Sequence, residues 1–195
     1  LTFGGGRTVV GGNLSGVATG IDIKSGATYV VNDDTFLSTK TVANAGTIEI
    51  AASKTLDIGD GYASTSGAID NTKGGTLGID TATDTTAAKA NEIFGDLVRG
   101  GSGNVGTVLL RDALADDWST TGVTGGSVEL TATQTAEVDV KVGGANLKIA
   151  GPGANTFKAI TANEVTVDAA AAGGTTFKGV MTATKLIANE NATFD

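Results

Sequence analysis

The chain predicts an all-β fold, a parallel β-helix (β-solenoid) whose coils are about 20 residues long. Three observations lead there. First, Asn44 to Thr81 carries one phrase twice: a shift of 21 residues places Gly67 on Gly46, Ile69 on Ile48, Asp70 on Glu49, Thr76 on Thr55, Leu77 on Leu56 and Ile79 on Ile58. Second, apolar and polar residues alternate within each copy, the period of a half-buried strand. Third, the chain is rich in Gly, Thr and Ala, which suit tight corners, strands and narrow interiors. A β-sandwich filament subunit is the structural rival; it explains the strand-rich composition without requiring the self-match.

In chain order, Leu1 to Gly20 is glycine-rich, with Thr8 to Val10 as its strand candidate and the rest a flexible or capping segment. Gly4 to Gly6 lacks the Lys-Ser/Thr and following helix of a phosphate loop. Gly20 to Val31 reads as another copy at an offset of 27, with Ile21 and Ile23 on Ile48 and Ile50, and Thr28, Tyr29 and Val31 on Thr55, Leu56 and Ile58. The surplus is then a loop or extra strand around Asn32 to Leu37. From Thr81 to Gly126 the pattern lapses. Ile93, Phe94, Leu97 and Val98 have helical spacing, Gly100 to Gly103 stops the helix, and a second short helix is expected around Asp112 to Asp117. Trp118, the one tryptophan, is expected to pack or to serve as a contact anchor.

The repeat resumes at Ser127 to Leu130, with Thr135 and Val138 at the places of Thr55 and Ile58. Phe157 and Phe177 lie 20 residues apart, and Phe194 begins a further copy. These three rings are expected to stack along one interior face. The organisation is therefore N-terminal coils over 1–85, an insertion with short helices over 86–126 and C-terminal coils over 127–195, in one continuous stack.

A net charge of −8 and the wide separation of Arg7, Arg99 and Arg111 argue against nucleic acid. The absence of histidine removes the usual general base, and the absence of cysteine removes disulfides and thiolate chemistry. There is no apolar run of transmembrane length. No signal-peptide pattern opens the chain, so any such peptide is absent or already removed.

The repeated Gly46 to Ile50 and Thr55 to Gly59 phrases, with Thr176 to Leu186 later, resemble bacterial surface proteins with β-solenoid passengers: autotransporter adhesins and surface-layer antigens. The resemblance covers Gly20 to Thr81 and Ser127 to Asp195. It implies export to the bacterial cell surface and a structural or adhesive role.

Acidic groups supply the chemical candidates. Asp57 and Asp60 in an acid-glycine stretch, the pair Asp33 and Asp34, and the pair Asp116 and Asp117 read either as calcium ligands or as solvated corners. No other cofactor is expected. Glu49 and Asp70 align one coil apart, about 4.8 Å if the strands stack, near the separation of a retaining glycosidase. A solvated strand face is the competing reading of that pair. An open last coil would expose strand edges at Thr193, Phe194 and Asp195, a place for self-association.

The expected function is an exported, non-catalytic structural protein of the bacterial cell surface that self-associates into a homo-oligomeric layer or filament. The alternatives are an adhesin passenger binding a glycan or other cell-surface ligand through Thr81 to Gly126, and a polysaccharide-acting β-helix enzyme.

Overall fold

Short parallel strands stack in register along most of the molecule, whose computed structural model describes residues 1–168 and 170–195. The first turn carries β1 (Thr2–Phe3) and β2 (Gly6–Val10), and the second β3 (Gly20–Ile23), β4 (Ala27–Val31) and β5 (Thr35–Leu37). The third carries β6 (Thr41–Asn44), β7 (Thr47–Ile50) and β8 (Thr55–Ile58), and the fourth β9 (Tyr62–Ser64), β10 (Ala68–Asp70) and β11 (Thr76–Ile79). Helix α1 (Ala87–Gly100) and β12 (Asn104–Leu110) form the fifth. Above them come β13 (Trp118–Ser119) with β14 (Gly125–Leu130), then β15 (Val138–Lys141) with β16 (Asn146–Ile149), then β17 (Asn155–Thr161) with β18 (Glu164–Val167). The next turn holds β19 (Thr175–Phe177), β20 (Met181–Thr182) and β21 (Lys185–Ala188), and β22 (Ala192–Phe194) follows. This is a parallel β-solenoid, and the 21-residue match is its rung: Ile69 lies beside Ile48 and Leu77 beside Leu56.

Each full turn has three walls. One wall is unbroken: β5, β8, β11, β12, β14, β16, β18 and β21 pair in succession. Its interior holds two aliphatic ladders. Leu56, Leu77, Val108, Val128, Leu147, Val165 and Leu186 form one, and Leu37, Ile58, Ile79, Leu110, Leu130, Ile149 and Val167 the other. Alternation puts these side chains inward, and stacking presents each to its like, so aliphatic side chains fill the narrow interior. The first wall (β1, β3, β6, β9) and the second (β2, β4, β7, β10) stop below α1. Above α1 their places are taken by one sheet in which β15 and β17 turn the corner. There Phe157, Phe177 and Phe194 stack, with ring centroids 6.2 and 5.2 Å apart.

Three sequence expectations need correction. Ile21 pairs with Val42, and Tyr29 with Ile48, so the copy at an offset of 27 slips by one wall. The extra strand expected around Asn32 to Leu37 is present as β5, but it is a regular part of the turn and begins the unbroken wall. The same slip applies to Val128 and Leu130, which stand on the ladders of Leu56 and Ile58, while Val138 lies beside Phe157. The reason is physical: all walls share one inward-outward alternation, and alternation says which way a side chain points without saying on which wall.

The helix obeys its own period. Ala90, Ile93, Phe94 and Leu97 are buried, Thr86 accepts from the Lys89 amide at 3.2 Å as N-cap, and the Gly101 amide donates to the Leu97 carbonyl. Asp112 to Asp117 forms no second helix. The Asp112 carboxylate instead accepts from the Thr81 amide, and Asp116 from the Ala87 amide at the start of α1, each at 2.6 Å. Both acids are thus engaged in holding the entry to α1 rather than in opening a helix of their own. Residues 104–110, inside the stretch expected to be an insertion, form a strand of the unbroken wall.

Candidate functional site at the helical turn

A helix cannot extend a β-ladder, because its backbone groups bond along its own axis. α1 therefore joins the stack through side chains, packing against β9, β10, β12 and β13. On one side, Phe94 meets Trp118 edge-to-face at 4.9 Å and 71°. The Trp118 indole N–H donates to the Asn91 side-chain oxygen at 3.1 Å. Trp118 is fully buried, which settles it as a packing residue.

The other side carries a buried polar cluster. Asp96 accepts from the Tyr62 hydroxyl, from Arg99 and, at 3.3 Å, from the Asn44 amide. Arg99 Nε also donates to the Gly67 carbonyl at 2.7 Å. Burial raises the Asp96 pKa above the ordinary aspartate range despite these donors. Burial, and then the Asp96 charge, push the Tyr62 phenol up as well. Lys89 donates to the Tyr62 carbonyl at 2.6 Å and pairs with Glu92, which accepts from the Ser64 amide at 2.9 Å.

Replacing a strand by a thicker helix leaves clefts along both flanks. One, of about 440 Å³, is lined by Ser64, Thr65, Ser66, Asn91, Glu92, Gly95, Asp96 and Arg99. The other, of about 240 Å³, is lined by Asn91, Phe94, Gly95, Ser119, Thr120 and Thr121. Asn91 and Gly95 belong to both, so the two meet across the helix surface.

The sequence-nominated residues lie elsewhere. Glu49 and Asp70 are register neighbours, but Glu49 binds Arg7 at 2.9 Å and Lys73 at 3.3 Å. The hydrogen bond from Arg7 is the main cause of its lowered pKa. Asp70 accepts from the Thr72 amide and hydroxyl at 3.0 and 2.6 Å. Both carboxylates of the pair are thus engaged within the fold, Glu49 by two cations and Asp70 by Thr72 on its own turn.

Asp57 is buried on the unbroken wall, where Arg111 Nε and Nη2 reach it at 3.0 and 2.9 Å. Gly78 makes room for that pair, since a Cβ there would overlap the Asp57 carboxylate and lie 2.9 Å from Arg111 Nε. Burial raises the Asp57 pKa against the pull of Arg111. Asp60 accepts from the Ala82 amide at 3.0 Å, Asp34 from Thr55 at 2.8 Å and Asp33 from Asp34 at 2.9 Å. Asp117 accepts from the Asp139 amide and pairs with Lys158. Among the described residues no three acidic, histidine or cysteine side chains gather as a metal site. Thr193, Phe194 and Asp195 lie at or beside β22 on one end of the stack, where Phe194 is 55% exposed although it continues the interior phenylalanine column.

Sequence reasoning did not find the Asp96 cluster or the clefts. Asp96 lies 34 and 52 residues from Tyr62 and Asn44, and only the stacking of turns brings them together. The one available signal was Asp96 lodged between Phe94 and Leu97 on an otherwise apolar stripe. No protein-family model matches the chain, and neither a curated protein nor a solved structure matches it. Its classification is therefore the one its own geometry supplies: a parallel β-solenoid with one helical turn.

Proposed function

We propose that the chain is a non-catalytic structural rod, exported to the bacterial cell surface, which associates with further copies into a layer or filament. One observation carries this reading: seven of its cations, Arg7, Lys54, Lys73, Arg111, Lys148, Lys158 and Lys178, form ion pairs that tie one turn to another. Of 13 Lys and Arg, all but Lys40 and Lys185 stand in ion pairs among the described residues. Arg7 to Glu49, Lys158 to Asp117 and Lys178 to Glu137 each link residues 41 or 42 apart, reaching over an intervening turn. Lys148 joins Glu129 below to Asp168 at 3.3 and 3.1 Å. Single exposed pairs contribute little, but networks that cross successive turns resist bending and slipping of the stack. Placement at the bacterial surface rests on the resemblance of the repeated phrases to surface-protein passengers.

Self-association is supported by the end of the stack that carries Leu186 and Phe194. Both occupy interior positions and are nonetheless exposed, at 37% and 55%. Such a face accepts parallel strand edges and apolar side chains from a neighbouring turn, whether of the same chain or of another copy. Light scattering across a concentration series tests this. The reading expects particle mass to grow with concentration and to fall back to monomer in Leu186→Asp and Phe194→Asp variants. A monomer at every concentration, with and without calcium, contradicts it.

A further inference from the structure

We propose that the trough across α1 binds a hydroxyl-rich oligosaccharide, neutral or bearing a single carboxylate. This is a function separate from self-association and does not rest on it. The two clefts flanking the helix meet at Asn91 and Gly95, giving one path from Ser64–Ser66 on one side to Ser119–Thr121 on the other.

The polar groups along this path are oriented by the fold. The Trp118 indole is a donor only, so the atom of Asn91 that it meets is the oxygen, and the Asn91 NH2 has no hydrogen-bond partner among the described residues. Arg99 is held through Nε and Nη2 by Gly67 and Asp96, and no hydrogen bond occupies its Nη1 among the described residues. Thr120 has a buried hydroxyl oxygen with no partner among the described residues, hydrogen-bonding capacity that the fold itself does not use.

Two backbone features keep the path open. Gly95 sits in the middle of α1, where glycine is the poorest residue short of proline. Packing does not require it: a Cβ there would meet only Arg99 Nη1, at 3.7 Å, an ordinary contact. Its effect is to keep the helix surface low where the two clefts join. Ser66, in the lining, holds φ at 156°, a region that favours glycine, and such outliers concentrate where a site is being shaped.

The lining selects the ligand. Hydroxyls and an amide match the alternating donors and acceptors of a sugar chain, and Arg99 can take one carboxylate. Glu92 and the buried Asp96 beside it, in a protein of net charge −8, oppose a polyanion. A bound peptide would need apolar pockets for its side chains. Phe94, the one large apolar residue in the lining, is itself buried.

The test uses the full chain and the single tryptophan as reporter. The indole N–H resonance is followed while short oligomers of glucose, N-acetylglucosamine and galacturonic acid are added. A saturable shift with at least one of them, together with shifts at the amides of residues 64–66 and 119–121, is the expected result. Gly95→Gln fills the junction and is expected to weaken binding at least tenfold, and Thr120→Val several-fold, with the circular-dichroism spectrum unchanged. Ser119→Arg on the exposed rim gives the same reading without touching the helix. No saturable shift with any sugar, or unaltered affinity in Gly95→Gln and Ser119→Arg, overturns the site. Shifts produced by a polar unstructured peptide and by none of the sugars overturn the ligand class.

Discussion

The unbroken wall and the second wall are made from the same turns, yet one runs through eight strands while the other stops at β10 and restarts at β13. On the unbroken wall each strand from β8 to β18 supplies two inward aliphatics in register, and β11, β12 and β14 join without regard to the helix beside them. Where the first and second walls stop, α1 takes their place, and continuity passes to side chains: Phe94 against Trp118 on one side and Asp96 with Tyr62 and Asn44 of the first wall on the other. One ladder is therefore enough to carry the stack. A turn can exchange a strand for a helix where its neighbours supply other contacts, and the exchange opens surface that a regular solenoid lacks.

The largest expected effect lies in the core that the two walls share. Trp118→Ala is expected to lose about 3–5 kcal/mol and Leu77→Ala about 2–5 kcal/mol in denaturant titration. The two should differ in kind. Leu77→Ala is expected to lower stability as one cooperative transition, whereas Trp118→Ala frees the helix first, seen as earlier loss of the helical signal at 222 nm. Simultaneous loss in both would mean that the helix is no separate element.

The second effect is a pH dependence. The Asp96 pKa is raised in the folded state by burial, so just above the ordinary aspartate value, about 3.9, the folded chain keeps a proton that the unfolded chain has lost. The unfolded state then binds fewer protons, and this contribution is present at low pH and lost as pH rises through the raised value. Asp96→Asn is expected to flatten that fall in a melting-temperature series. Glu49, whose pKa is lowered, acts in the opposite sense and loses its contribution as pH falls. An unchanged slope in Asp96→Asn would remove the cluster from the account.

The smallest effect has the other sign. Gly95→Ala is expected to stabilise the protein by about 1 kcal/mol, because the helix gains propensity and the new methyl meets no close contact. A loss of stability would show that Gly95 is required for packing.

The same contrast explains what could be read from the chain. The rung length was legible because Ile48 and Ile69, and Leu56 and Leu77, repeat with no insertion between turns. The phenylalanine column at 157, 177 and 194 was legible for the same reason. The helix was legible from the spacing of Ile93, Phe94 and Leu97. The third strand of each turn was not: Thr41 to Asn44 and Tyr62 to Ser64 have too few inward apolar residues to announce a wall, and Asn44 is polar because it serves Asp96. Matching two strands where there were three is what allowed the offset of 27. The trough was invisible for a deeper reason, since its sides come from residues 64–66, 91–99 and 119–121, joined only by stacking.

Paired cysteines introduced into a chain that has none test the central claim most directly, that one wall runs past the helix while its neighbour is split by it. Thr76 and Thr107 are register neighbours on β11 and β12 although α1 lies between them in sequence. Adjacent strands stand about 4.8 Å apart, within the Cα span of a disulfide. Thr76→Cys with Thr107→Cys is expected to cross-link on mild oxidation with the fold intact. Asp70→Cys with Ser119→Cys, on the wall where a helix about 10 Å across intervenes, is expected to stay reduced. Cross-linking of the second pair, or failure of the first, would contradict the account.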